Sequence, residues 1–328
     1  MPPVPPTTKR FLSGIKPTND LHIGNYFGAI REAVRLQDDG ESYYFVANYH
    51  ALTGLRDPVK FREYTRLTAI TYLACGLDPA RAVLYRQSDV PEVTELTWLL
   101  LTVTPVPMLE NAVSYKDHRD KGKATEMGLM TYPVLMAADI LAQDSHVVPV
   151  GRDQVQHVEM TRDIAQKYNR AFQSEVFRIP DYRLGEAPYV VGTDGQKMSK
   201  SYGNSIPIVA EGKALERLVM SIQTDAKGVA DPKDPDTSNV YKLYALMASE
   251  SEKQALADRY RAGGMGYGEA KKLLCAKINE VFEPIRARYK ALIARPDEVE
   301  QILVAGAVKA RANARAVLSR ARKACGID

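Results

Sequence analysis

The chain has 328 residues with a hydrophobic fraction of 45%, enough for two packed units of ordinary globular composition. It contains no run of roughly 18 apolar residues, which excludes a membrane-spanning helix, and its net charge of +4 permits a polyanionic partner without demanding one. Residues 1–9 begin Met1-Pro-Pro-Val-Pro-Pro, lack the apolar centre of a secretory signal and read as a disordered lead-in. Cys75, Cys275 and Cys325 fit neither a disulfide framework nor a zinc pattern, so a reducing, cytoplasmic setting and no protein-held metal are expected.

Residues 11–15 are a short apolar run ended by Lys16-Pro17, which predicts a buried strand entering a turn. Residues 26–36 place Phe27, Ile30, Val34 and Leu36 at helical spacing. A second strand is predicted over 43–47, and Asp57-Pro58 sets an N-cap and a first-position proline at the head of a helix over 58–75. Further strands are predicted at 82–85, 147–150 and 189–191, alternating with helices over 92–101, 126–130, 133–142 and 154–168. Such alternation implies an α/β fold with a mostly parallel, doubly wound sheet covered on both faces. After Asn204 the strand signals stop. Segments 211–223, 238–248, 252–262, 267–294 and 297–324 read as helices, the fourth with an apolar stripe through Leu274, Ile278, Ile285 and Leu292. The last carries Lys309, Arg311, Arg315, Arg320, Arg322 and Lys323 almost without acids. A boundary is therefore expected near residue 205, between an α/β unit over 10–205 and an all-α unit over 206–328.

Two motifs carry chemistry. His22-Ile23-Gly24-Asn25 follows a strand and opens a helix, where free backbone N–H groups and the positive dipole end favour phosphate. Gly24 lets a nucleotide approach without meeting a Cβ, and His22 and Asn25 can donate to phosphoryl oxygens that gain charge in a transition state. Alone, these four residues fit equally a polar turn with a packing glycine. Lys197-Met198-Ser199-Lys200-Ser201, in a loop rich in Gly, Asp and Lys, supplies two cations suited to clamp a triphosphate.

The pair resembles the HIGH and KMSKS signatures of the class I aminoacyl-tRNA synthetases, with Asn25 in place of the last His as in the tryptophan and tyrosine subgroup. The resemblance implies a Rossmann-type catalytic domain in which an amino-acid carboxylate attacks the α-phosphorus of ATP and expels pyrophosphate. By the same resemblance Lys197 and Lys200 stabilise the departing pyrophosphate, with Mg²⁺ shared by the phosphates, and the acyl group then passes to tRNA.

Residues 131–140, Thr-Tyr-Pro-Val-Leu-Met-Ala-Ala-Asp-Ile, bear on the side chain recognised. Met136 and Asp139 are three apart and share a helix face. A carboxylate there can accept from a donor-only indole N–H, and a thioether can lie against an aromatic ring. The segment resembles that of the tryptophan enzymes, which implies that Asp139, Met136, Tyr132, Gln154 and His50 line a tryptophan pocket. Gly151, Arg152 and Asp153, after the strand at 147–150, stand where a doubly wound sheet puts ligand-contacting loops; Asp153 can accept from ribose hydroxyls. Val190, by resemblance, meets the adenine through its backbone. Lys16 stands where the family has a nucleotide-contacting Gln, and Asn19 where Gly is usual.

The implied activity is activation of L-tryptophan with ATP and its transfer to tRNA(Trp), with residues 92–130 as a connecting insertion that forms a homodimer interface. The basic C-terminal helices are the expected anticodon-recognition region. The rival readings are a tyrosine enzyme of the same subgroup, another HxGx-type nucleotidyltransferase and a non-catalytic tRNA-binding paralogue.

Overall fold

The structure, a computed structural model, describes residues 9–17, 21–120, 122, 126–184 and 189–327; the lead-in over 1–8 and Asn19 lie outside them. Five strands, β1 (Arg10–Ile15), β2 (Glu41–Val46), β3 (Ala82–Arg86), β4 (Val147–Val150) and β5 (Asp181–Leu184), form one sheet in the order β3-β2-β1-β4-β5. Every pairing is parallel. The strand order reverses direction at β1, which opens a crevice beyond the C-terminal ends of β1 and β4.

The first motif begins α1 (Ile23–Asn25), a π-helical stretch follows over Tyr26–Ile30, and α2 (Arg31–Leu36) completes the element. Next come α3 (Asn48–Ala51), α4 (Pro58–Ala74), α5 (Glu92–Leu101), α6 (Val106–Glu110), α7 (Val113–Asp120), α8 (Met127–Ala142) and α9 (Val155–Ala171). The C-terminal half contributes α10 (Gly212–Met220), α11 (Asn239–Ala245), α12 (Glu250–Ala262), α13 (Tyr267–Ile293) and α14 (Pro296–Cys325). As expected, the Asp57 carboxylate caps α4, accepting from the Val59 and Lys60 N–H groups at 2.9 and 3.2 Å.

Strand alternation divides the core between the two faces of the sheet. Tyr44, Val46 and Leu84 pack with α4 and with Leu274, Ile278, Phe282 and Ile285 of α13. Tyr43, Phe45 and Tyr85 face α5, α8 and α9. The stripe read from α13 is thus the surface that covers the sheet, and Phe282 adds edge-to-face contacts to Tyr26 and Phe27 at 5.1 and 6.3 Å. The first motif's helix is therefore seated on the helical half.

Two sequence expectations change. Residues 189–191 do not enter the sheet: Val191 pairs with Lys197 in an isolated antiparallel bridge, and both Val190 and Val191 are buried. The fifth strand is Asp181–Leu184, an edge strand with largely exposed side chains, so it has no apolar alternation to betray it. The two helices read over 126–130 and 133–142 are one, because Pro133 removes a single i→i−4 bond while Val134, Ala137, Ala138, Ile140 and Leu141 are buried beyond it.

Helix α14 joins both core clusters. Its first turns place Val299 and Leu303 in one core cluster, and Ala307, Ala310, Ala314, Val317 and Leu318 belong to the other. It crosses edge strand β3 at Gly306, where a Cβ would sit 1.9 Å from the Leu84 carbonyl oxygen. The helix thereby covers an otherwise open sheet edge. Arg311 and Arg315 pair with Glu92 at 2.8 Å each, Arg320 with Asp144 at 2.7 Å, and Arg322 with Glu95. These four cations are engaged by acids of the α/β half.

Candidate active site

The crevice at the strand-order reversal holds a cavity of about 510 Å³. The ends of β1 and β4 form its floor, and α8 forms one wall. Gly14 lines it beside Phe45; a Cβ at Gly14 would lie 2.4 Å from the Phe45 ring, so only glycine lets the strand end pack there. Lys16 stands at the mouth. Its ammonium donates to the Thr53 hydroxyl at 3.0 Å, Thr53 donates on to the His50 carbonyl at 2.8 Å, and loss of hydration lowers the Lys16 pKa. A partly desolvated cation on a neutral hydroxyl is matched to an anionic ligand.

Tyr132, Met136 and Asp139, spaced by four and three, project from one face of α8 and all line the cavity. Asp139 is 2% exposed. His50 Nε2 lies 3.0 Å from its Oδ2, and the Gln87 amide donates to Oδ1 and Oδ2 at 3.0 and 2.8 Å. Burial raises the Asp139 pKa, while the bonds from His50 and Gln87 oppose the rise. The Tyr132 hydroxyl meets Nε2 of the buried His157 at 2.5 Å. Gln154 joins the lining from a 3-10 turn over Arg152–Gln154.

The two signature motifs meet each other beside this cavity. His22 caps α1: its Nδ1 accepts from the Asn25 N–H at 3.3 Å, and the Asn25 Oδ1 accepts from the His22 N–H at 3.0 Å. That reciprocal box leaves the ring proton on Nε2 in the neutral form. Burial, aided by the charge of Lys200, lowers the His22 pKa to about 4, so the imidazole is a neutral donor at physiological pH. The Gly24 N–H donates to the Met198 sulfur at 3.3 Å. Backbone bonds add Ile23 N–H to Ile206 O and Ile208 N–H to Leu21 O, both 2.9 Å. The buried Arg286 of α13 donates to the Ile208 carbonyl at 3.3 Å.

The loop around the second motif is folded on itself. The Gly192 N–H reaches Gln196 O at 2.7 Å, and the Met198 N–H reaches Val190 O at 2.9 Å. Asn204, 2% exposed, is its hub: the amide donates to Asp194 and to the Lys197 carbonyl at 2.7 and 3.1 Å, and the oxygen accepts from the Ser199 N–H at 2.8 Å. A Cβ at Gly192 would lie 2.3 Å from that amide. Ser199 and Ser201 bond each other at 2.8 Å.

The fold thus gathers His50, Tyr132, Met136, Asp139, Gly151, Gln154 and Lys16 around one cavity, and His22, Gly24, Asn25 and Met198 in a second cluster beside it. Lys197 and Lys200 are in the loop of that cluster and do not line the cavity. The side chain of Asp153 lies outside the described residues. Sequence reasoning missed Gln87, Thr53 and Asn204. The position of Gln87 directly after β3, at the ligand-bearing end of a parallel strand, was the available signal.

Comparison with known proteins gives a consistent neighbourhood. The family described as tRNA synthetases class I (W and Y) matches residues 7–283. The chain is 50% identical over 319 residues to the tryptophan--tRNA ligase of Rhodopirellula baltica, covering 97% of this chain and 99% of that one. It is 48% identical to that of Fusobacterium nucleatum, covering 97% and 98%. The crystal structure of tryptophanyl-tRNA synthetase from Campylobacter jejuni, complexed with ADP and tryptophan, superposes with a TM-score of 0.91 at 45% identity, covering 97% and 99%.

Proposed function

The chain belongs to the class I tRNA synthetases of the tryptophan and tyrosine family, and from that membership we propose that it is a tryptophan--tRNA ligase: it activates L-tryptophan with ATP and transfers it to tRNA(Trp). The observation that carries the choice of amino acid is Asp139, a buried carboxylate on the wall of a cavity at the sheet's switch point. Its three bonds from Gln87 and His50 use most of a carboxylate's four acceptor positions, which suits reception of one further donor, the indole N–H. Met136 supplies a soft surface for the ring, and Tyr132, His50 and Gln154 supply the remaining polar contacts.

In the first step a tryptophan carboxylate oxygen bonds to the α-phosphorus, the α–β phosphate link breaks, and pyrophosphate leaves with the electron pair. No protein nucleophile takes part, so the side chains act by position and charge. Lys16 receives phosphate charge at the cavity mouth. His22 donates from Nε2 and Asn25 from its amide to phosphoryl oxygens; Lys197 and Lys200, with Ser199, Ser201 and the backbone around Met198 and Gly24, enclose the leaving pyrophosphate. Gly151, Arg152 and Asp153 hold the ribose side, and Val190 meets the adenine. Mg²⁺ would travel on the triphosphate and neutralise its charge: among the described residues no three His, Cys, Asp or Glu side chains cluster, so phosphate oxygens would hold it.

In the second step a terminal ribose hydroxyl of tRNA takes the tryptophanyl carbonyl and AMP departs. The helical half over 206–328 is the RNA-reading unit. The exposed Trp98, Val106, Val113 and Met127 support pairing of two copies through the 92–130 insertion, and the free thiols of Cys75, Cys275 and Cys325 suit the cytoplasm. Charging tests the function: a tRNA(Trp) transcript should accept tryptophan only when ATP is supplied, and failure to charge under conditions where the protein is folded contradicts it.

A further inference from the structure

Gln87 does not line the cavity, yet it is 1% exposed and every polar atom of its side chain is assigned. Its oxygen accepts from the Tyr49 and His50 N–H groups at 2.9 and 3.4 Å, so the amide cannot flip without losing both. Its nitrogen donates to both oxygens of Asp139. The turn that carries it is fastened to α3 by a reciprocal pair: Asn48 donates to the Ser88 hydroxyl at 2.8 Å, and the Ser88 N–H donates to Asn48 at 3.0 Å. Arg86, one residue before, is held by Asp89 at 2.7 Å and by Glu300 of α14 at 2.6 Å.

We propose that Gln87 is a specificity-determining positioning residue, which fixes the Asp139 carboxylate in one rotamer and keeps it an acceptor, so that Oδ1 reads the ring N–H of the substrate. The count of lone pairs selects that oxygen. Among the described residues, Oδ2 already receives His50 and Gln87, whereas Oδ1 receives Gln87 alone. A neutral amide is the suitable support, because it donates to the carboxylate without cancelling its charge as Lys or Arg would. The inference rests on the reading of Asp139 as the indole contact.

The test compares tryptophan with its benzothienyl analogue, in which sulfur replaces the ring N–H, by ATP–pyrophosphate exchange in the full-length protein. Gln87→Met keeps the bulk and removes both donors. It should raise the KM for tryptophan by about 10- to 100-fold, the loss expected for a hydrogen bond to a charged group, with the KM for ATP changed less than about 2-fold. The preference for tryptophan over the analogue should shrink by a similar factor, and the acid-side rise in tryptophan KM should move to higher pH, since a donor that favours the carboxylate is gone. Gln87→Glu places a second carboxyl against Asp139 and should lose the same preference at neutral pH; it replaces the Met variant in the test if that variant does not fold. A retained preference and unshifted pH profile in the folded variant overturn the proposal. Asp139→Ala, which removes the acceptor, is run alongside and separates the two ideas: if it too keeps the preference, the indole reading of Asp139 is what fails.

Discussion

The Gly24 N–H donates to the Met198 sulfur at 3.3 Å across 174 residues of sequence, so the two signature motifs touch directly. Met198 is 4% exposed and fills the space over the glycine, where its own Cβ lies 3.4 Å from the position of an added Cβ. The loop is therefore held against the first motif through a weak, polarizable acceptor, which an anion can replace at small cost. Met198→Leu conserves volume and should cost less than about 1.5 kcal/mol of stability. It removes the sulfur, and we expect a several-fold change in the KM for ATP with tryptophan KM unaltered, read from exchange at varied ATP. An ATP KM identical to that of the parent protein would show that the contact has no part in nucleotide binding.

Asp139→Ala should cripple tryptophan activation while leaving ATP binding intact. The variant removes the acceptor for the indole N–H and strands the buried Gln87 amide. Sites built around a specific polar group discriminate by ~10⁴–10⁵, so kcat/KM for tryptophan is expected to fall by at least about 10³. Equilibrium binding of ATP, followed by calorimetry, should stay within about 3-fold. A mutant of equal activity would remove Asp139 from the site.

Acid has two separable effects. Burial raises the Asp139 pKa above 3.8, so this carboxyl takes up its proton at a higher pH than an exposed acid, and tryptophan KM should rise as pH falls through that point and be flat above it. His22 behaves oppositely, because its folded pKa is depressed from 6.5 to about 4. Below pH 6.5 the unfolded chain binds a proton there that the folded chain does not, so stability is lost as pH falls from 6.5 toward 4. Melting curves across this range should slope less for His22→Gln than for the parent protein, with no difference above pH 7.

Asn204→Ala tests the hub of the second motif. Removing the side chain leaves the Lys197 carbonyl, the Ser199 N–H and Asp194 without their shared partner. The cost should be about 1–3 kcal/mol in stability. Disorder of the loop should raise the KM for ATP more than that for tryptophan, and kinetics on the purified variant at both substrates would reveal equal effects if the hub serves stability alone.

The parts of this fold legible in sequence were those with periodic or capped signals. Phe11-Leu12, Tyr43 to Phe45 and Val147-Val148 are apolar because their strands are buried, and Asp57-Pro58 announces α4 through cap chemistry. β5 was invisible because an edge strand with exposed Asp181 and Arg183 has no face to bury. The protein partners of the α14 cations were illegible for a related reason: charge composition does not tell that the fold brings Glu92 close to Arg311 and Arg315. Within the site, Met136 and Asp139 followed from helical spacing, and Tyr132 from the resemblance. Gln87 and Asn204 did not, since each acts on residues 52 and 5 to 10 positions away in sequence, through contacts that only the folded chain creates.

The central assignment is the amino acid itself, and ATP–pyrophosphate exchange driven separately by each of the twenty amino acids measures it most directly. Tryptophan alone should support rapid exchange, with tyrosine and phenylalanine lower by about 10⁴ or more, as expected when a buried acceptor is left unpaired. Exchange driven by tyrosine, with tryptophan silent, would contradict the role given to Asp139 and to the pocket around it.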